Sequence, residues 1–563
     1  MIVKKVVKKK QGLGGLRGSS GGSSVESSPL RPQLIEKPPP CTHGCPNHNM
    51  IREALMAVSK AEEFGKTLEA GLEEAWRRFL ETTPLPAVCG RVCPHPCETE
   101  CNRKEKDGAV SVNNFERFIG DFGLRKKLVP AKLTEARRSE KIAVVGSGPA
   151  GLSCAYHLAR RGYPVTIFES FPKSGGMLRY GIPDYRLPPE VLDAEIQRIL
   201  DMGVELKCNT AVGRDIPLET LRKDYKAVFV GLGAHQGKKL RVPGEDAPNV
   251  FAGTDFLHRI NCDEKLDLGN KVVVIGGGDT AIDAARVSRR LGAETIILYR
   301  RTRAEMPAIH EEIEGAIEDG VRIDFLAAPI EVYTKDGRAT GMKCQRMKLG
   351  EPDSSGRASP VPIEGDTYDL EFTTLIAAVS QQPDFTGFDA LREGKDWIKT
   401  DAKFKTKEDG VYSGGDNVQL ALVVHAIFHG RTAAAAIHEA ITGEVPSAGA
   451  APSGEPIRAD KLKLSHYDEA KRSGVKKLPP AEALLSLKTE IASTLSEAEA
   501  VSDAKRCLSC GLCFHCGSCW SLCQDNAVIK PLVKGQPYKF KMEFCNGCKK
   551  CAENCPCGYI EMH

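Results

Sequence analysis

The stretch that decides the fold is "KIAVVGSGPAGLSCAYHLARRGYPVTIFES", residues 141–170, because it holds a complete strand–turn–helix–strand unit. Its turn reads Gly146-x-Gly148-x-x-Gly151, and its second strand ends at Glu169. Glycines at these places permit a tight turn and a close approach of the backbone to a pyrophosphate, which the helix N-terminus faces. A carboxylate at the end of the second strand can hold the ribose hydroxyls. The stretch therefore predicts a Rossmann-like dinucleotide site.

A second copy of this layout is "KVVVIGGGDTAIDAARVSRRLGAETIILYRR", residues 271–301. Alanine replaces its last glycine, which the fingerprint allows. The second strand ends in Arg300 and Arg301 instead of an acid, and guanidinium groups there can clamp a 2′-phosphate. This favours NADPH over NADH; the alternative is that both arginines lie in a solvated loop. The residues predicted to contact the nicotinamide nucleotide are Gly276, Gly277, Gly278, Asp279, Thr280, Arg300 and Arg301.

Two nucleotide units in one chain, the second inside the span of the first, indicate FAD together with a nicotinamide nucleotide. The segment "DGVYSGGDNVQ" completes the first unit, since Gly415 and Asp416 follow a strand and flavoproteins of this architecture use such an acid on the ribityl chain. The next helix would aim its N-terminus at the flavin ring. His425 and His429 are expected to be structural, and no catalytic side chain is predicted.

The twenty-one cysteines are unevenly placed, with six between Cys41 and Cys101 and eleven between Cys507 and Cys557. A disulfide framework would spread across its domain, whereas short-spaced clusters indicate metal sites in a reducing compartment. A cytoplasmic protein is therefore expected. The sequence has no apolar run long enough to span a membrane and no apolar signal-peptide core, so neither a membrane span nor secretion is expected.

The tail carries the ferredoxin spacing Cys-x2-Cys-x2-Cys-x3-Cys twice, and in two-cluster ferredoxins the fourth cysteine of each box ligates the other cluster. Zinc is the alternative, but structural zinc pairs normally stand farther apart in the chain. The spacing predicts two [4Fe-4S] sites, one of Cys513, Cys516, Cys519 and Cys555 and one of Cys545, Cys548, Cys551 and Cys523. Cys507, Cys510 and Cys557 are left over; buried structural thiols are expected, and "CLSCGLC" is an alternative ligand set.

Together with the first stretch, further motifs carry a family resemblance, namely "PLPAVCGRVCPHPCETECNR", "SGGMLRYGIPDYRLP", "VIGGGDTAIDAARVSRRLGA" and "YRRTRAEMPA". Over about residues 30–445 they resemble the small, NADPH-oxidising subunit of glutamate synthase and its relatives. The resemblance implies an N-terminal helical Fe–S domain and an FAD domain with an inserted NAD(P)H domain, and it places Gly175, Gly176 and Leu178 beside the flavin ring. The terminal block is similar to the branch of NAD(P)H:acceptor oxidoreductases that carry their own ferredoxin domain.

The resemblance also implies the N-terminal ligands. Cys45, Cys93 and Cys97 would hold one cluster, and its fourth ligand would be Glu116, where relatives place Gln or Glu. The other family cluster keeps Cys41 and Cys101 but lacks two thiolates, because this sequence has no Cys-x2-Cys pair before Cys41. Candidates to replace them are Cys89, His43 and His95. One N-terminal cluster is predicted, and a second stays open.

The expected fold class is α/β, with two nested Rossmann-like domains, an N-terminal helical Fe–S domain and a C-terminal α+β bacterial-type ferredoxin domain. The arm holds eight Lys/Arg against two Glu and no interleaved aromatics, so a solvated tail is favoured over nucleic-acid or lipid binding. The predicted parts are a flexible basic arm (1–40), the helical Fe–S domain (41–138), the FAD domain (139–252 and 376–445), the inserted NAD(P)H domain (253–375), a linker and helix (446–504) and the ferredoxin domain (505–563).

These features predict an electron-transfer flavoprotein subunit. It would oxidise NAD(P)H by hydride transfer to FAD and pass single electrons through [4Fe-4S] clusters to a redox partner protein or larger complex. The tail has eight Lys/Arg and four Asp/Glu, which suits docking to an acidic partner. Two alternatives stay open. One is a self-contained reductase of ferric iron or a quinone; the other is a non-redox Fe–S scaffold, against which the two intact fingerprints argue.

Overall fold

The computed structural model describes residues 28–354, 356–394, 397–445 and 453–563. The N-terminal domain is a set of helices packed around Trp76, Phe79 and Phe115, which are fully buried. Apolar residues at helical spacing face this core, and the Thr67 side chain caps the central helix by accepting from the Ala70 amide at 3.2 Å. Its elements are β1 (Pro32–Leu34), α1 (Pro40–Gly44), α2 (Ile51–Ser59), α3 (Leu68–Leu80), α4 (Pro86–Val92), α5 (Pro96–Thr99) and α6 (Val112–Arg125), with 3-10 turns at Glu62–Phe64 and Asn102–Glu105.

The next part of the chain holds the first nucleotide unit. Along the chain, its strands alternate with helices, as the strand–glycine–helix pattern predicts. The elements are β2 (Ile142–Val145), α7 (Pro149–Ala159), β3 (Val165–Phe168), α8 (Met177–Tyr180), α9 (Pro189–Leu200), β4 (Glu205–Lys207), α10 (Leu218–Asp224), β5 (Ala227–Val230) and β6 (Gln236–Gly237).

The second nucleotide unit follows before the first is complete. Its elements are β7 (Val250–Ala252), α11 (Gly253–Asn261), β8 (Lys271–Ile275), α12 (Asp279–Arg290), β9 (Glu294–Tyr299), a 3-10 turn (Arg303–Glu305), α13 (His310–Glu318), β10 (Arg322–Phe325), β11 (Ala327–Lys335), β12 (Arg338–Pro352), β13 (Ala358–Glu371), β14 (Thr374–Ala377) and β15 (Gln381–Gln382). The chain then returns through a 3-10 turn (Asp389–Leu391), β16 (Arg392–Glu393), β17 (Trp397–Ile398), β18 (Val411–Ser413) and α14 (Val423–Thr442).

Two parallel sheets organise these units, in the orders β18-β5-β2-β3-β4 and β10-β9-β8-β14-β7. The inner strands β2, β3, β5, β8, β9 and β14 are buried, whereas the edge strands β4, β7 and β10 are partly exposed. Strands β11 to β13 form a separate antiparallel sheet that packs against one face of the second parallel sheet. This arrangement is the predicted pair of nested Rossmann-like domains. The predicted boundaries need correction, however: β7 and the end of β14 hydrogen-bond within the second sheet, so this unit extends beyond 253–375 at both ends.

The tail forms the C-terminal part of the fold. Phe514, Tyr538 and Ile560 are buried in its core together with several cysteines. Its elements are 3-10 turns at Ala459–Lys461, Leu464–His466 and Met542–Phe544, together with α15 (Pro480–Ala483), α16 (Glu497–Ala504), α17 (Ser518–Leu522), β19 (Val528–Ile529), β20 (Lys539–Phe540), α18 (Lys550–Glu553) and β21 (Ile560–Met562).

The two segments predicted as arm and linker are largely packed where the structure describes them. The prediction of a flexible arm is wrong for residues 28–40, because β1 pairs antiparallel with β21; residues 1–27 lie outside the described residues. In the predicted linker, Ile457, Leu462 and Tyr467 are buried in the core of the tail. Residues 446–452 are not described. No helix in the described ranges is long and apolar enough to cross a membrane.

Candidate functional site

One cavity of about 810 Å³ lies between the two nucleotide units. Gly146, Gly148 and Glu169 of the first unit line it, as do Asp279 and Thr280 at the start of α12. The carboxyl ends of the strands of both sheets open toward it, which is where doubly wound sheets bind ligands. Its volume is within the range of cofactor sites. The structure therefore brings both predicted nucleotide fingerprints to one cavity.

The three glycines of the first turn differ in whether a side chain would fit at their positions. Gly146 has φ +88°, and a Cβ there would lie 2.1 Å from the Gly231 carbonyl oxygen. A Cβ on Gly151 would lie 2.0 Å from the Gly146 carbonyl oxygen, so this glycine permits the helix to pack on the turn. By contrast, a Cβ on Gly148 would meet no atom within 4 Å. Gly148 thus leaves open space in the cavity where a pyrophosphate can approach the backbone.

Glu169 closes this turn from the end of β3. Its carboxylate accepts from the Ser147 amide at 2.9 Å, from the Ser147 hydroxyl at 2.5 Å and from the Phe171 amide at 2.9 Å. The carboxylate therefore orients the glycine turn and also borders the cavity. Ser147 was not singled out from the sequence, although its place between the two first glycines was a usable signal.

The predicted flavin-ring segment lies beside the first glycine turn. Gly176 and Leu178 line the cavity, while Gly175 is tied to the glycine turn, its amide donating to the Ser147 carbonyl at 3.2 Å and hydroxyl at 3.1 Å. Gly175 and Gly176 have φ of +124° and +54°. Side chains at both would be strained, and a Cβ on Gly176 would lie 2.8 Å from the Gly148 Cα. The two Gly-rich turns thus pack against each other.

Asp416 reaches the cavity from the end of β18, after Gly415. Burial raises the pKa of this carboxyl to about 6, with the Ala421 amide donating to Oδ1 at 3.4 Å. The Gly415 amide donates to Nδ1 of His429 at 3.1 Å. Burial lowers the pKa of His429 to about 4, so the ring is neutral and can accept. His429 therefore acts as a structural support for this turn.

The second unit meets the same cavity at the start of α12. Gly276 has φ +145°, and a Cβ there would lie 2.3 Å from the Ala378 carbonyl oxygen. A Cβ on Gly277 would lie 2.5 Å from the Tyr299 ring, and one on Gly278 would meet only Pro307, at 4.0 Å. The Asp279 carboxylate accepts from the Ile309 amide at 2.9 Å, and burial raises its pKa. Asp279 thus stabilises the loop that follows β9.

The two arginines after β9 have different surroundings. Arg301 is 4% exposed; its guanidinium donates to the Ala358 carbonyl at 2.7 Å and pairs with Asp353 at 2.6 Å. It is thus engaged within the fold, contrary to the expected phosphate clamp. Arg300 is exposed and has no hydrogen-bond or ion-pair partner among the described residues. Arg303, which was not predicted as a site residue, lines a neighbouring cavity of about 700 Å³ and pairs with Glu314.

In the N-terminal domain, Cys45, Cys93, Cys97 and Glu116 lie together. Burial raises the pKa of Cys45 to about 12, and the charges of Glu116 and Cys93 add to the rise. The pKa of Cys97 is raised mainly by burial and also by the Cys45 and Cys93 charges. The buried Glu116 carboxylate accepts from His95 Nε2 at 3.1 Å and from Asn49 Nδ2 at 3.4 Å. The set predicted from the resemblance is therefore contiguous.

This group borders the nucleotide cavity. Val92 and Pro94, on either side of Cys93, line the cavity. Cys89 and Cys93 also pack against Val424 and Ile427 in the first turns of α14. Leu422 and Val423 at the start of that helix line the cavity in turn. Both sequence neighbours of Cys93 thus belong to the wall of the predicted flavin site.

The tail cysteines lie in two groups. Cys523, Cys545, Cys548 and Cys551 line one small cavity. In the other group, the pKa of Cys519 is raised mainly by burial and then by the charges of Cys516, Cys513 and Cys555. Within the described part of the chain, no group of three or more His, Cys, Asp or Glu side chains is arranged to hold one metal ion.

Cys41 and Cys101 lie apart from Cys45 and Cys93, at a separate cavity. The other thiols that line it are Cys507 and Cys510, whereas Cys89, His43 and His95 are not among its lining residues. The suggested substitutes for the missing thiolates are therefore not at this site. Cysteine spacing could not predict that Cys41 and Cys101 meet Cys507 and Cys510, because the two pairs come from opposite ends of the chain.

Comparison with known proteins gave matches over most of the chain. Residues 140–430 match the family model described as pyridine nucleotide-disulphide oxidoreductase, and residues 35–128 match dihydropyrimidine dehydrogenase domain II, 4Fe-4S cluster. These matches agree with the fold class and with the resemblance drawn from the motifs.

Three curated relatives illustrate the range. The chain is 43% identical over 354 residues to the NADPH-Fe(3+) oxidoreductase subunit beta of Geobacter sulfurreducens, a match that covers 62% of this chain and 51% of the relative. It is 35% identical over 541 residues to the NADP(+)-dependent formate dehydrogenase subunit beta of Moorella thermoacetica, covering 88% and 74%. It is 35% identical to the glutamate synthase [NADPH] small chain of Escherichia coli, covering 70% and 87%. The match thus spans about half the length of the Geobacter relative.

Proposed function

The chain belongs to the pyridine nucleotide-disulphide oxidoreductase family, and from this premise we propose that it is an electron-transfer flavoprotein subunit that oxidises NADPH and delivers electrons through iron–sulfur sites to a protein partner. One observation carries the proposal. The cavity shared by the two nucleotide fingerprints has Val92 and Pro94 in its wall, and Cys93 lies between them. A hydride-accepting site and a one-electron site would therefore be neighbours.

The residues around the cavity fit FAD. When bound there, FAD would take a hydride from the nicotinamide and release its two electrons singly. Gly148, with open space beside its Cα, would face the pyrophosphate, and Glu169 would hold the ribose. Asp416 would accept from the ribityl hydroxyls, which favours its ionised form. The apolar Leu178, Leu422 and Val423 would keep water from the ring.

The second fingerprint would bind the nicotinamide nucleotide. Gly276, Gly277 and Gly278 form the turn, and the N-terminus of α12 with Asp279 and Thr280 would face the pyrophosphate. We assign the 2′-phosphate contact to Arg300, because Arg301 is buried against Asp353. This assignment supports NADPH as the preferred donor.

Three groups of ligands fit iron–sulfur clusters. A cluster bound to thiolates would carry one electron at a time. Next to the cavity, Cys45, Cys93 and Cys97 would be joined by Glu116, whose hydrogen bond from His95 would hold its carboxylate in place. In the tail, the groups are Cys513, Cys516, Cys519 and Cys555, and Cys523, Cys545, Cys548 and Cys551.

We propose that the electrons leave to a protein partner. The relatives named as beta subunits or as a small chain support this, since each name describes a component of a larger enzyme. The tail, with eight Lys/Arg and four Asp/Glu, would dock an acidic surface. Affinity for the partner should then fall as salt is raised, and an affinity that salt leaves unchanged would contradict this mode of docking.

The proposal is tested by anaerobic titration of the purified protein with NADPH and, separately, with NADH. We expect flavin absorbance to bleach and reduced-cluster EPR signals to appear, at a lower concentration of NADPH than of NADH. A flavin that neither nucleotide bleaches would contradict the proposed function. Rapid turnover of ferric iron without a partner protein would instead favour the self-contained reductase; ferric iron appears in the name of the Geobacter relative, which is a beta subunit.

A further inference from the structure

The cavity at Cys41 and Cys101 joins the two ends of the chain. Cys41 lies in α1, Cys101 precedes the 3-10 turn that begins at Asn102, and Cys507 and Cys510 follow α16. All four cysteines line this cavity, and its other walls are largely apolar. They are free thiols, so no disulfide accounts for their being together.

The charges that act on these thiols show that the four lie close to one another. Burial raises the pKa of Cys41, and the charges of Cys507, Cys101 and Cys510 raise it further. Burial likewise raises the pKa of Cys510, with Cys507 and Cys101 adding to the rise. Cys510 is buried and the other three thiols are half-buried. Four unligated thiols in one pocket have no packing advantage over apolar residues, because such a thiol behaves as a small hydrophobe.

The arrangement does not suit a single metal ion. With Zn–S bonds of about 2.3 Å, a zinc ion would bring neighbouring sulfurs to within about 4 Å of each other. Among the described residues, no group of three or more metal-binding side chains is gathered in that way. In an iron–sulfur cluster each thiolate binds a different iron, so the ligand sulfurs stand farther apart.

Hydrogen-bond donors reach two of the four sulfurs. Asn102 Nδ2 donates to the Cys510 sulfur at 3.5 Å, and the Ser509 amide donates to the Cys507 sulfur at 3.4 Å. The guanidinium of Arg52, whose side chain is 4% exposed, donates to the Cys510 carbonyl at 2.9 Å. Donors to sulfur, such as Asn102 and the Ser509 amide, are the means by which a protein stabilises cluster thiolates and adjusts the potential of the cluster.

We propose that Cys41, Cys101, Cys507 and Cys510 bind a fourth [4Fe-4S] cluster, in which the tail supplies the two thiolates that the N-terminal domain lacks. The inference builds on the proposed function, since the site lies between the other ligand groups. On one side, the charge of Cys41 acts on Cys97. On the other, buried Tyr467 donates to the Leu508 carbonyl at 2.7 Å, and the charges of Cys510 and Cys516 both act on it. The fourth cluster would connect the flavin-side group with the tail.

The test is the iron and sulfide content of anaerobically isolated protein. We expect the Cys507→Ser/Cys510→Ser variant to lose about four iron atoms per chain relative to the unmodified protein, with its FAD content unchanged. Cys344→Ser is the matched control, a buried thiol in β12 whose hydrophobic cluster contains no other cysteine, and should lose none. An iron content equal to that of the control would overturn the proposal.

A second measurement applies if the double variant does not fold. The single variants Cys41→Ser and Cys507→Ser should each alter the same EPR signal of the reduced protein, because their side chains would bind one cluster. Signals altered separately by the two changes would overturn the proposal. Bleaching of the flavin by NADPH is recorded in parallel. If NADPH does not bleach the flavin but the double variant still loses about four iron atoms, the proposed function is wrong and the proposed cluster site is supported.

Discussion

At the scale of single residues, two acids that line the cavity, Asp416 and Glu169, differ in how many protein groups donate hydrogen bonds to them. Burial raises the pKa of Asp416 to about 6, and few protein groups donate to it. The carboxylate of Glu169 already accepts hydrogen bonds from Ser147 and from the Phe171 amide. Asp416 is therefore the acid whose hydrogen-bonding capacity is left for a ligand.

Binding of FAD to the deflavinated protein should weaken as the pH falls below about 6. The free Asp416 carboxyl takes up a proton there, whereas ribityl hydroxyls that donate to the carboxylate would lower its pKa in the complex. The complex then binds fewer protons than the free protein, so affinity rises with pH, by about tenfold per pH unit at most. Fluorescence titration between about pH 4.5 and 7.5 measures this. Asp416→Asn should remove the dependence, and an equal slope in both proteins would contradict the assignment.

The choice between NADPH and NADH should depend on Arg300. A charge-assisted hydrogen bond is worth about 1.5–3 kcal/mol, so Arg300→Ala should raise the KM for NADPH about ten- to a hundredfold and leave that for NADH unchanged. Arg301→Ala is the control. Because Arg301 pairs with Asp353 and is buried, this change should lower the Tm without altering the ratio of the two KM values. Equal effects of Arg300→Ala on both nucleotides would contradict the assignment.

At the scale of elements, the crossing of α7 and α14 positions the cavity wall. The two helices pack closely at Gly430, where a Cβ would lie 2.0 Å from the Ala150 carbonyl oxygen. The Ser153 hydroxyl adds a hydrogen bond to the Ile427 carbonyl at 2.8 Å across the same contact. Since α7 begins at the glycine turn and α14 begins at the cavity, their distance determines the width of the site.

Gly430→Ala should therefore destabilise the fold by about 1–3 kcal/mol, because the added methyl group forces the helices apart. The Tm of thermal unfolding and the FAD content measure the effect, and both values should decrease. Gly148→Ala is the matched change at the same helix: its Cβ meets no protein atom within 4 Å, so it should leave the Tm of the deflavinated protein unchanged and weaken FAD binding alone. Loss of stability in both variants to the same extent would contradict this separation.

At the scale of the whole molecule, the two ends of the chain form one unit. Beyond the pairing of β1 with β21, the Arg506 side chain, 1% exposed, donates to the Gly108 carbonyl at 2.7 Å and to the Ala109 carbonyl at 2.9 Å. Asp503, fully buried, accepts from the Ser111 amide at 2.8 Å. The tail is thus attached to the N-terminal domain through buried polar groups.

Replacing Arg506 by Ala should cost about 3–5 kcal/mol, because it leaves Asp503 buried without its cationic partner. We expect a lower Tm and faster hydrogen exchange of β1 and β21. Lys505→Ala, on the neighbouring residue, is the control and should change neither quantity. If Arg506→Ala lowers the Tm while exchange in the two strands stays slow, the arginine stabilises only its own domain.

The sequence by itself determined the features that depend on short stretches of chain. The two Rossmann-like units follow from glycine spacing and strand periodicity between neighbouring residues, and the predicted grouping of the tail cysteines follows from the ferredoxin spacing. The tertiary structure decided the features that depend on distant segments of the chain. Arg301 is engaged because it contacts Asp353 and Ala358, and residues 28–40 are ordered because a strand from the other end of the chain pairs with them. In the same way, Cys507 and Cys510 line one cavity with Cys41 and Cys101. Such contacts form only when segments far apart in the sequence meet in the folded chain, so the spacing of neighbouring residues does not predict them.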